Sequence, residues 1–107
     1  MALADPAQAA RVAVIAYAEN KVHLPVAPVV EPVAVVDGYA LADWTAGAKE
    51  GEALLVLRDG KWRVEAFENS SLAGAHYLVV RYKVPPAQAK ALVETLLAAE
   101  KRENVRP

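Results

Sequence analysis

The chain has 107 residues, 55% of them apolar but only 7% aromatic, and 12 Lys or Arg against 13 Asp or Glu leave a formal charge of -1. This length suits one domain around one core, and charges of both signs interleaved along the chain exclude the basic footprint that a nucleic-acid backbone requires. The lack of cysteine excludes disulfides, thiolate metal sites and cysteine nucleophiles, and no apolar run approaches the roughly 18 residues of a membrane-spanning helix.

Ala2-Leu3-Ala4 before Asp5 has the small-x-small form of a signal-peptidase site, so a periplasmic or secreted chain that has lost an apolar leader is expected. Asp5-Pro6-Ala7-Gln8 then sets a capping acceptor, a proline at the first helical position and a glutamine three residues after the cap. The expected helix runs from Pro6 to Glu19, with Val12, Ile15, Ala16 and Glu19 on the side that rests on a flat partner.

From Leu24 to Pro32 three prolines alternate with valines, which suits an extended edge segment, and regular pairing is expected from about Val33. Asp37-Gly38 between Val33–Val36 and Tyr39–Ala42 reads as a two-residue hairpin turn with positive φ at both central residues, pairing Val36 with Tyr39 and Ala34 with Leu41. A looser connection over 46–51 leads into Glu52 to Arg58. Asp59-Gly60 makes a second two-residue turn into Lys61 to Glu68, pairing Leu57 with Trp62 and Leu55 with Val64. One face then carries Ala53, Leu55, Leu57, Trp62, Val64 and Ala66, with Trp62 as the core anchor.

Ser70 and Ser71 are placed to cap a helix whose spacing, Leu72, Ala75, His76, Val79 and Val80, runs to about Tyr82. The run 76–82 is also rich in strand formers, but it lacks the clean alternation of a half-buried strand. Pro85-Pro86 opens a last helix to about Lys101, with Ala89, Leu92, Val93, Leu96 and Ala99 as its apolar stripe. The expected architecture is therefore α+β: an N-terminal helix, a four-stranded antiparallel β-meander and two C-terminal helices. It forms a single domain over 1–107, frayed over Met1 to Ala4 and from Glu103 to Pro107, with helix one and at least one C-terminal helix on one sheet face.

Chemistry is sparse. His23 and His76 are the only imidazoles and Met1 the only thioether, so His23 and His76 are candidate metal ligands with no third soft ligand to complete a site. The carboxylates Glu31, Asp37, Asp43, Glu50, Glu52 and Glu65 read as solvated acids in turns or on the outer sheet face. Ser70 and Ser71 have no placed base, and no glycine-rich phosphate loop is present. Trp44, Tyr77 and Tyr82 are the candidates for lining a ligand pocket. No catalytic residue and no cofactor is expected, with weak copper capture by His23, His76 or the amino terminus left open.

Several segments carry a resemblance: Pro28-Val29-Val30, Asp37 to Trp44 with Gly47, Ala53-Leu54-Leu55, Asp59 to Val64, and Val84-Pro85-Pro86 with the Ala-Leu-rich run to Glu100. Together they resemble the small bacterial proteins labelled copper uptake system-associated proteins, which are secreted across the inner membrane and have no settled biochemical role. The resemblance covers about two-thirds of the chain. It implies a cysteine and a Gly-Asp-Ala-Leu segment after the tryptophan strand, where this chain has Phe67-Glu68-Asn69-Ser70-Ser71-Leu72, so a metal ligand at that cysteine would be lost here.

The functional expectation is a non-catalytic extracytoplasmic accessory or binding protein, associated with copper uptake as the resemblance implies and open to a protein partner. The alternative is a small-molecule-binding protein or enzyme with a pocket between sheet and helices. A cleft holding a buried carboxylate or His76 favours the alternative; a filled core beside an exposed apolar patch favours a protein partner.

Overall fold

Three turns of two residues each organise the middle of the chain. In the computed structural model, which describes residues 5–72 and 74–104, they join β1 (Val29–Val36), β2 (Tyr39–Ala46), β3 (Lys49–Arg58) and β4 (Lys61–Glu68). These strands form one antiparallel sheet in chain order. Helix α1 (Pro6–Lys21) precedes the sheet, and α2 (Ala75–Tyr82) and α3 (Pro86–Asn104) follow it, so the expected α+β architecture is found. Met1 to Ala4, with the Ala2-Leu3-Ala4 motif, and Val105 to Pro107 lie outside the described residues. Glu103 lies within α3.

The first and third turns pair as the Asp-Gly dipeptides dictate: Val36 faces Tyr39, Ala34 faces Leu41, Leu57 faces Trp62 and Leu55 faces Val64. Asp59 (φ 53°) and Gly60 (φ 76°) both take the left-handed region, while in the first turn Asp37 (φ 52°) alone does. The middle connection is tighter than the sequence suggests. Ala46 pairs with Lys49 across Gly47-Ala48, with Gly47 at φ 65°, so the loose loop expected over 46–51 is strand except at its tip. β1 likewise begins at Val29, four residues earlier than expected, because a register shift between Val30 and Val33 absorbs Pro32 without ending the pairing.

The helices cover both faces of the sheet, not one. Ala34, Leu41, Leu54 and Ala66 form a row across the four strands and pack with Leu72, Leu78, Ala89, Leu92 and Leu96 of the C-terminal segments. On the other face Val30, Ala40, Ala42, Trp44, Ala53 and Leu55 pack with Ala10 and Val14 of α1. A second register shift, between Leu54 and Leu55, moves Ala66 to the C-terminal-helix face, away from the face expected for it.

Three side-chain assignments change. α1 turns Ala10, Val14 and Ala18 inward and leaves Val12 54% exposed, so Val12, Ala16 and Glu19 of the expected stripe face out while Ile15 packs against the core. α2 buries Leu78, whereas His76 and Val80 face out. The core anchor is Trp44, 2% exposed, and Trp62 is half-buried at the edge of the same cluster. Asp5 caps α1 through Ala7 N (3.0 Å) as its sequence demands. α2, in contrast, begins at Gly74 with no side-chain cap, so Ser70 and Ser71 do not serve as its caps.

Candidate functional site

Side chains alternate along a strand, so Asp43 shares a face with Leu41 two residues earlier, and Glu52 with Leu54 two residues later. Both face the C-terminal helices. On α3, Leu92, Leu96 and Glu100 recur at every fourth residue, which places Glu100 at the end of the buried stripe. Three carboxyl groups thus occupy positions where their elements turn toward the core, and they meet where that core ends. One oxygen from each of Asp43, Glu52 and Glu100 lies within 4.8 Å of the other two.

The cluster sits in a cavity of about 470 Å³ whose wall also holds Glu31, Trp44, Glu50, Ser70 and Glu103. Among the described residues no Lys, Arg or His lines it. Acids this close without a countercharge cannot all ionise cheaply. The Asp43 carboxyl is pushed up to about 9, first by burial, then by its hydrogen bond to Glu100 and by the charges of Glu100 and Glu52. Near neutral pH it is protonated and donates within the cluster. Glu52 has a second task, accepting from Leu72 N at 2.8 Å, which fixes the segment between β4 and α2. A small apolar cleft adjoins, lined by Leu41, Leu72, Val93 and Leu97, and shares Glu52, Ser71 and Glu100 with the cavity.

Glu68 organises the neighbouring wall. Its carbonyl accepts from the Trp44 indole N–H at 3.1 Å, and its carboxylate accepts from the Tyr82 hydroxyl at 2.7 Å. Burial and that carboxylate push the Tyr82 hydroxyl up to about 12. Trp44 also stacks on Phe67, with ring centroids 4.6 Å apart and planes at 13°. Gly51, opposite Trp44 in the ladder, leaves room for this approach: a Cβ there would overlap the Glu68 carbonyl.

Of the pocket candidates read from the sequence, Trp44 lines the acidic cavity. Tyr82 reaches Glu68, and Tyr77 packs edge-on against Tyr82 at 5.9 Å, so these two do not face the cavity. His23 and His76 are both exposed. His23 lies in a shallow groove after α1, and His76 is on α2 across the sheet, so the structure does not bring them together. Asp43 and Glu52 look like solvated acids in the sequence because the Gly47-Ala48 turn is not recognised; with that turn in place they fall opposite each other. Glu100 carries its own signal, an acid in register with Leu92 and Leu96.

Comparison with protein-family models, with curated proteins and with solved structures gives no match to this chain.

Proposed function

We propose that this protein is a non-catalytic binding protein whose acidic cavity captures a hard divalent cation. The observation that carries this reading is the convergence of Asp43, Glu52 and Glu100 from β2, β3 and α3 onto one point, with no basic side chain lining it among the described residues. Carboxylate oxygens suit Ca²⁺, Mg²⁺ or Mn²⁺ better than a soft metal. A cation there replaces the proton on Asp43, so binding releases a proton. An extracytoplasmic accessory role rests on the resemblance noted above. A link to copper enters this proposal only as Cu(II) on oxygen ligands, since His23 and His76 stand apart and no thiolate is available for Cu(I).

Calorimetric titration with each of the three cations, alongside Trp44 fluorescence as a cavity reporter, tests the proposal. One-to-one binding that is lost in Asp43→Asn and Glu100→Gln is expected. No heat up to about 1 mM cation, equivalent to less than about 4 kcal/mol of affinity, overturns it.

One observation favours a second reading, an enzyme acting in the same cavity: a protonated Asp43 beside two further carboxyl groups has the form of a general acid with a neighbouring base. Turnover that Asp43→Asn abolishes, with no cation bound, would replace the first reading with this one.

A further inference from the structure

The sheet has two edges, and the chain treats them differently. Residues flanking a two-residue turn exchange backbone hydrogen bonds, and bonded and unbonded pairs then alternate along the ladder. Ala46 and Lys49 flank the middle turn, so Trp44 bonds Gly51, and Val30, opposite Trp44 on its other side, points its backbone groups away from the sheet. Arg11 of α1 closes that position, donating from Nε to the Val30 carbonyl at 2.6 Å. Next to it Pro32 offers no N–H, and Glu31 sets an exposed charge on the rim. This end of β1 is closed to a further strand.

β4 lacks such closure. Arg58 and Lys61 flank the last turn, so Val56 bonds Arg63, while Trp62 and Val64 direct their N–H and C=O groups outward. Among the described residues no side chain hydrogen-bonds to them. Lys61 and Arg63 share the face of Arg58, and Glu65 joins them there through its ion pair with Arg58 at 3.7 Å. On the opposite face, half-buried Trp62 and 41% exposed Leu57 leave apolar surface at the rim.

We propose that β4 is a pairing edge for a second copy of this chain, joined antiparallel about a two-fold axis at Val64. That register sets Arg63 opposite Glu65 of the second copy, twice by symmetry, and Val64 against its own copy. The charge pattern of β4 is therefore self-complementary in an arrangement in which Val64 exchanges its outward N–H and C=O with Val64 of the second copy. A pairing this short is a weak, concentration-dependent contact.

Sedimentation velocity from micromolar concentration to about 1 mM tests this on the full chain. The wild type is expected to shift from monomer to dimer. Val64→Pro removes one outward N–H and no β3–β4 bond, so it is expected to abolish dimer with an unchanged circular dichroism spectrum. Arg63→Glu places like charges across the axis and is expected to weaken association at least about tenfold, and Arg63→Glu with Glu65→Arg is expected to restore it. A monomer throughout the range, or a dimer indifferent to both Val64→Pro and Arg63→Glu, overturns the proposal. Should Val64→Pro fail to fold, the charge reversal and its rescue decide.

Discussion

Asp43 and Glu52 face each other across the β2–β3 ladder at a pair that exchanges no backbone hydrogen bonds, the closer of the two kinds of antiparallel pair. Two acids in that position repel unless one keeps its proton or a cation sits between them. Glu100 adds a third carboxyl from α3. The cluster therefore joins the sheet to the last helix through a contact whose sign depends on protonation.

Stability should fall as pH rises. Asp43 loses its proton near its ordinary value of 3.8 when unfolded but holds it to about 9 when folded, so its contribution is complete below about pH 4 and is lost as pH rises through about 9. In thermal melts followed by circular dichroism, the wild-type Tm is expected to drop between pH 5 and pH 9.5, and Asp43→Asn to flatten that drop. Parallel curves for the two proteins would rule out Asp43 as the titrating group.

The same proton sets the pH dependence of cation binding. Because a bound cation must displace it, affinity for Ca²⁺ or Mn²⁺ is expected to increase from pH 6 to pH 9, each unit of pH giving up to about tenfold where one proton is released per cation. Calorimetry in two buffers of different protonation enthalpy measures the released proton directly. A pH-independent affinity would mean that the cation is held elsewhere.

The two tryptophans should differ sharply on truncation. Trp44 is buried, stacked on Phe67 and hydrogen-bonded to Glu68, so Trp44→Ala is expected to cost about 3–5 kcal/mol. Trp62 is half-exposed on β4, and Trp62→Ala should cost about 1–2 kcal/mol. Urea titration of both variants gives the comparison, and equal losses would contradict the assigned core.

Two glycines separate crowding from backbone strain. Gly51→Ala drives a methyl into the Glu68 carbonyl and is expected to cost about 1–3 kcal/mol, with a loss of Trp44 emission specific to the altered indole contact. Gly60→Ala meets nothing within 4 Å but sits at φ 76°, so it should cost about 1 kcal/mol and leave Trp44 emission unchanged. Denaturant titration with fluorescence detection reads both effects.

The fold was legible wherever local chemistry decides conformation. Asp37-Gly38 and Asp59-Gly60 fix their hairpins and registers, and Asp5-Pro6 fixes the start of α1, because each acts over a few residues. Faces were less legible. Ala10, Val14 and Ala18 are buried in place of Val12, and an alanine-rich helix displays little contrast between its sides. Gly47-Ala48 carries no Asn or Asp to mark a turn, and missing it hid the meeting of Asp43 with Glu52. The approach of Glu100 is tertiary: the α3 stripe shows that it turns inward, but only the docking of α3 shows what it meets.

The three short turns also bear on how the chain reaches its structure. Every strand pairs with the next strand in the sequence, so the meander closes through the shortest loops available and with little loss of chain entropy. The two helical layers arrive from opposite ends of the chain and meet opposite sheet faces, which lets either dock without the other. Substitutions in the hairpins should thus act mainly on the rate of folding, and substitutions under α1 or α3 mainly on the rate of unfolding.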